Sequence, residues 1–202
     1  MLLPPRPKRI AHGESLRSPL IAFARVAPVL SGALLALTLP PFDFGYLAWV
    51  ALVPLAWCWH HRQLPPAAYW SAWLGGLIFS LTLAIWLRTC YQQEPGLLGP
   101  YWAGWFTIGL LGAGFFLAMF AYGHVVVQRL NLPICVVLPA VWVSYELARH
   151  YGAAVFDQTG FPWGKLAITQ TRLPQIIQVA DLGGELLVSA VVATFSGIIV
   201  DA

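Results

Sequence analysis

From Tyr101 to Val127 the chain reads YWAGWFTIGLLGAGFFLAMFAYGHVVV, without one Asp, Glu, Lys or Arg. Coiled as an α-helix, such a stretch is roughly 40 Å long, more than the ~30 Å of hydrocarbon in a bilayer. Its apolar residues are continuous, whereas a membrane barrel strand alternates apolar and polar positions. Trp102 and Trp105 sit near one end, where aromatic rings anchor a helix at the membrane interface. Gly114 and Ala118 provide small-x-x-x-small spacing for close packing against a neighbouring helix.

The composition of all 202 residues agrees with this stretch. Hydrophobic residues make up 59% and charged residues 9%, where soluble domains carry about 25% charged residues. Mean hydropathy is +0.72. This composition excludes a disordered chain and an ordinary cytosolic enzyme. Further apolar runs lie on both sides of the first. The expected fold is all-α: a membrane bundle of about six transmembrane helices with irregular outer loops. A basic tail covers residues 1–19, and the helical domain 20–202 has spans near 20–39, 45–59, 67–87, 101–127, 134–148 and 175–200. Pro40 and Pro41 end the first span, and Pro54 interrupts the short second one. A signal peptide is the rival for residues 1–39, but its apolar core would be only about 7–15 residues long.

Five of the eleven basic residues precede or open the first span: Arg6, Lys8, Arg9, Arg17 and Arg25. With the amino terminus inside, Arg62 and Arg129 join them, leaving Arg88, Arg149, Lys165 and Arg172 outside. The bias predicts a cytoplasmic amino terminus. The net charge of +3 is scattered and lacks the basic stripe of a nucleic-acid binder. Cys58, Cys90 and Cys135 show neither disulfide nor zinc spacing. No G-x-S-x-G elbow, H-x-x-x-H pair or G-x-x-x-x-G-K loop is present. The expectation is therefore no metal, no cofactor and no catalytic set within these residues.

Three polar features stand out. Pro40-Pro41-Phe42-Asp43-Phe44-Gly45 is a rigid aromatic turn, which either punctuates the helix or lines a lipid entry point. Trp142, Glu146 and Arg149 are four and three residues apart and share a helix face. They form either a local ion pair that ends the helix or a polar cluster at a cavity mouth, since an acid near a span end must be paired or wet. Thr159-Gly160-Phe161-Pro162-Trp163-Gly164, continuing to Thr169-Gln170, is either an interfacial re-entrant loop or the lining of a groove. Beyond it, Gln175, Gln178, Asp181, Glu185 and Ser189 fall on one arc if the helix is continuous. Asp181 and Glu185 would then repel unless one is paired or protonated.

These stretches resemble the membrane-embedded amino-terminal part of the bacterial apolipoprotein N-acyltransferases. The likeness rests on Pro41 to Trp49, on Pro139-Ala140-Val141-Trp142 with Glu146 and Arg149, and on Thr159 to Trp163. It continues through Thr169-Gln170, Pro174, Gln178 to Asp181, Gly183 and Leu187 to Ser189. The resemblance implies an inner-membrane, multi-pass protein that acts in lipoprotein biosynthesis. Such enzymes move an acyl chain from a phospholipid to the amino-terminal cysteine of a lipoprotein, through a thioester on an enzyme cysteine. Their Glu-Lys-Cys set belongs to a nitrilase-like domain that follows one further span.

That domain has no counterpart in these residues. A truncated or split gene product, or a fragment of a longer reading frame, is expected, with a separate nitrilase-like chain as partner in the split case. None of Cys58, Cys90 and Cys135 sits in the matching context, and Glu94 and Lys165 inherit no catalytic role. A thiol buried in apolar surroundings is in any case inert, and acyl transfer also needs a base and an oxyanion site. The resemblance implies that Trp142, Glu146, Arg149, Phe161, Pro162 and Trp163 shape the lipid-side cavity and dock the missing domain. The other reading is a non-enzymatic membrane module that binds lipid or lipoprotein. A small transporter fits less well, because the charges cluster at span ends rather than at the midplane.

Overall fold

A computed structural model describes residues 19–85, 98–154 and 163–202. The described residues are helical and contain no strand. In chain order the helices are α1 (Pro19–Ala24), α2 (Ala27–Leu37), α3 (Ala48–Ala51), α4 (Val53–Cys58), α5 (Pro66–Leu83), α6 (Leu98–Leu130), α7 (Ile134–Ala154), α8 (Pro174–Ile177) and α9 (Ala180–Asp201). Short 3-10 turns at Gly45–Leu47 and Leu166–Gln170 precede α3 and α8. Two of these helices are long and apolar enough to cross a membrane, over Tyr101–Leu130 and Ala180–Asp201. The apolar stretches Ala27–Leu37 and Gly45–Cys58 are shorter.

The stretch near 20–39 is broken at Arg25 and Val26, just ahead of Pro28, and the stretch near 45–59 is broken at Leu52, ahead of Pro54. Each break leaves backbone N–H groups without a partner in their own helix. A serine from a neighbouring helix takes up one at each place. Ser71 Oγ on α5 accepts from Val29 N–H at 2.9 Å, and Ser31 Oγ on α2 accepts from Leu55 N–H at 2.9 Å. In an apolar bundle such groups must be satisfied internally, so these serines make short, interrupted helices tolerable.

Packing runs α2 against α5, α5 against α6, α6 against α7, and α7 against α9. Small residues set the close approaches. Gly32 lies directly on the Gly75 backbone, and Gly112 faces the Ser80 side chain. Gly114 and Ala118 do not serve this purpose. Both are exposed, and a Cβ on Gly114 would meet open space. The inward face of α6 is the one bearing Ala113, Phe116 and Phe120, all fully buried. Its outward face presents Phe106, Leu110, Leu111 and Tyr122. An apolar surface of this extent is unusual on a soluble monomer.

The junction between α6 and α7 is tight. Asn131 takes a left-handed conformation (φ 51°), and Pro133 stops any continuation. Asp201, the last residue of α9, then caps the first turn of α7. Its two carboxylate oxygens accept from Ile134 N–H at 3.0 Å and Cys135 N–H at 2.8 Å.

The arc expected along 175–189 is not one helix face. The chain turns between α8 and α9, and α9 itself breaks at Gly183 and Gly184. Gly184 has φ 69° and ψ −172°, a region open essentially to glycine alone. Asp181 and Glu185 therefore lie on opposite sides of the break, and Glu185 is paired, with Lys165.

Candidate functional site: a loop clamped from beneath

On α7 the spacing of Trp142, Glu146 and Arg149 puts them on one face, from which Glu146 and Arg149 reach the segment that begins at Trp163. Trp142 and Glu146 are fully buried, and Arg149 is nearly so. One oxygen of Glu146 does two jobs. Glu146 Oε1 accepts from Trp142 Nε1–H at 2.7 Å and from the backbone N–H of Leu166 at 2.9 Å. Arg149 Nη2 donates to the Gly164 carbonyl at 3.0 Å. The Arg149 guanidinium carbon lies 5.2 Å from the Tyr145 ring centre and 6.0 Å from that of Phe79, close enough for a cation–π contribution. Gly164 allows the close approach. With φ 76°, it is in the left-handed region, and a Cβ there would lie 2.6 Å from Leu83 Cδ2 and 2.7 Å from Arg149 Nη1. The helix does not end at Arg149 but continues to Ala154, so the pair acts on the loop and not as a stop signal.

The same segment is held from two further sides. On the α9 side, buried Lys165 forms an ion pair with Glu185, and Ser189 Oγ accepts from Ala167 N–H at 3.1 Å. On the α3 side, fully buried Gln170 accepts from Trp49 Nε1–H at 2.9 Å and donates to the Gly45 carbonyl at 3.0 Å. At the surface Arg172 pairs with Asp43. Asp43 itself has φ 58°, and its N–H donates to the Leu39 carbonyl at 3.0 Å.

The three features of the sequence are thus one structure. The aromatic turn at 40–45, the α7 cluster and the described part of the loop, from Trp163 through Gln170, meet at one end of the bundle. Trp163 stands exposed there at 42%, as do Phe42 and Phe44. Phe161 and Pro162 lie outside the described residues. The sequence placed Gln170 in this loop, Lys165 among the outer charges and Trp49 in the 41–49 stretch, but gave none of them a bonding partner. Gln170 is one of three glutamines between residues 165 and 178, and nothing local distinguishes the buried one from Gln175 and Gln178.

This arrangement fixes a backbone and presents aromatic rings. It does not place a nucleophile beside a base among the described residues. Cys58 is buried within α4, and Cys135 sits beside the Asp201 cap at the opposite end. Among the described residues no group of three or more His, Cys, Asp or Glu could hold a metal ion.

The described residues thus form an all-helical domain in which side chains from three helices converge on one clamped loop. The chain belongs to the apolipoprotein N-acyltransferase family, because residues 31–198 match the model of the apolipoprotein N-acyltransferase N-terminal domain. Among curated relatives, the apolipoprotein N-acyltransferase of Geobacter metallireducens is 31% identical over 159 residues, covering 77% of this chain and 29% of that protein. That of Gloeobacter violaceus is 32% identical over 176 residues, covering 83% and 32% respectively. The Thermotoga maritima protein is 29% identical over 169 residues, 78% of this chain and 31% of that one. The chain spans less than a third of the length of these relatives.

Proposed function

We propose that this chain is the membrane part of a bacterial apolipoprotein N-acyltransferase, one that does not complete the reaction unaided. The whole enzyme would transfer an acyl chain from a phospholipid to the amino-terminal cysteine of a lipoprotein. The chain would cross the inner membrane six times, with its amino terminus in the cytoplasm and the clamped loop at the outer face. Six passes require the interrupted segments 19–37 and 45–58 to be embedded along with the longer helices. The serine bonds across their breaks support that.

The observation that carries the reading is the clamp itself, which lies within the family match. Glu146 and Arg149 hold the stretch that leads out of Phe161, Pro162 and Trp163. Fixed in this way, Trp163 and the neighbouring Phe42 and Phe44 would form one wall of a lipid-side cavity. They would also offer the surface on which a nitrilase-like domain docks. The nucleophile, base and oxyanion site would come from that domain, in the same polypeptide or in a separate chain.

The test is complementation in a strain depleted of its own N-acyltransferase. The chain alone should leave lipoproteins diacylated, as read by the mass of their amino-terminal peptides. The chain supplied together with a nitrilase-like domain should add one acyl group. Triacylated peptides from the chain alone would overturn the division of labour proposed here.

A further inference from the structure

At the end of the bundle opposite the clamped loop, two cavities of opposite chemistry share one wall. The first is a groove of about 300 Å³ between α5 and α6, lined by Leu64, Pro66, Tyr69, Trp70 and Leu117, all of them apolar or aromatic. Trp70 is 71% exposed beside it. The second, of about 480 Å³, is polar, and His60, Arg62, Gln128, Asn131 and Asp201 contribute to it. Residues 60–66 pass between the two and supply side chains to both.

The shared wall is built rather than incidental. Tyr69 O–H donates to His124 Nδ1 at 3.1 Å, which leaves the hydrogen on Nε2 to be donated to the His61 carbonyl at 2.8 Å. Gln128 Nε2 donates to the Trp59 carbonyl at 2.7 Å. A side chain lining the apolar groove (Tyr69) and one lining the polar basin (Gln128) are thus fixed to the same short stretch of backbone, residues 59–61.

The charges in the basin are unequally engaged. Both oxygens of Asp201 are taken by backbone N–H groups of α7. Arg62 is exposed and makes no hydrogen bond or ion pair among the described residues. The Asp201 carboxylate keeps its charge but is held at the amino terminus of α7, whose backbone N–H groups offset it; the exposed cation left for a headgroup phosphate is Arg62, with the His60 ring in the same lining. An apolar slot for a hydrocarbon chain, an exposed tryptophan at its side and an exposed arginine in the adjoining basin match the parts of a phospholipid.

We propose that this end of the protein binds one anionic phospholipid from the leaflet on the Arg62 side. An acyl chain lies in the Tyr69–Trp70–Leu117 groove, and the headgroup phosphate lies against Arg62 and His60. This site is separate from the clamped loop and does not depend on acyl transfer. It rests only on the chain being embedded in a membrane.

The test uses the full chain in nanodiscs of equal parts phosphatidylglycerol and phosphatidylcholine, with retained lipid counted by native mass spectrometry. One phosphatidylglycerol should remain bound in preference to phosphatidylcholine. Arg62→Gln should reduce its retention about fivefold, the effect of one basic residue near a membrane surface. Arg129→Gln, which removes an equal charge from outside both cavities, should leave retention unchanged. Leu117→Trp, which fills the groove, should reduce retention of both lipids at that site. Equal retention of the two lipids by the wild type, or equal effects of the two arginine substitutions, would overturn the site and leave only annular lipid. Release of the chain by alkaline carbonate would overturn the membrane reading as well, so the two failures are distinguishable.

Discussion

Glu146 holds Trp142 and Leu166 with a single oxygen, so its replacement can be graded. Gln keeps a carbonyl oxygen in the same place and should preserve both bonds. Leu leaves two buried donors unsatisfied, at a cost of about 1–3 kcal/mol each. Trypsin reports the difference. Lys165 is buried in the wild type and should resist cleavage, while exposed Arg172 should be cut. Glu146→Leu should open Lys165 to cleavage, and Glu146→Gln should not. Glycine gives a second contrast at this scale. Gly184→Ala forces an L-residue into a glycine-only conformation and should lower stability by about 1–3 kcal/mol. Gly114→Ala faces open space within a helix and should be neutral or stabilising by up to ~1 kcal/mol. Denaturation in mixed micelles would rank the two.

The elements show which interactions a sequence reveals. Trp142, Glu146 and Arg149 could be grouped from spacing alone, because four- and three-residue steps return to one helix face. Their destination could not be read, since the bonds run to residues 164 and 166 across an irregular loop. Pro54 marked the break between α3 and α4. The Gly183-Gly184 pair marked the break in α9 just as plainly, yet a continuous 100° wheel carried the arc straight through it. Gly114 and Ala118 had the right spacing on the wrong face, because the face that packs is chosen by Phe116, Phe120 and their neighbours. Gln170 joins two elements far apart in sequence and left no periodic trace. A double-mutant cycle of Gln170→Leu with Trp49→Phe should give a coupling of about 0.5–3 kcal/mol, as for residues in direct contact. The 60–66 segment should respond to acid. Burial, with help from the charges of His60 and His124, holds the His61 imidazole below its ordinary value of 6.5. The folded state then binds that proton less readily than the unfolded one. The contribution of His61 is complete above pH 6.5 and falls as the pH drops toward its lowered value. The thermal midpoint should decline on acidification, and His61→Gln should flatten that decline.

For the whole molecule the prediction is topological. A tag ahead of Met1 should be shielded from protease added to intact spheroplasts, whereas Thr171→Cys, in a chain whose three native cysteines are replaced by serine, should react with an impermeant maleimide from outside. The reverse pattern would invert the proposed orientation. The helical class of the molecule was legible from one uncharged stretch, because length and apolarity are local properties. The meeting of the 40–45 turn with the 163–173 loop was not, because it depends on how the bundle closes.

The Asp201 cap has a mechanical consequence. Asp201 ties the end of α9 to the start of α7, while the 163–170 loop bonds to Glu146 and Arg149 of α7 and to Glu185 and Ser189 of α9. The intervals 134–149 and 185–201 are nearly equal, each roughly 22–24 Å of helix. Two rods pinned at both ends cannot slide past one another. In a bilayer thinner or thicker than its own apolar band, this pair would have to tilt as a unit or deform the lipid around it. Its response to membrane thickness would therefore be a rotation of the helix pair, with the spacing between clamp and cap unchanged.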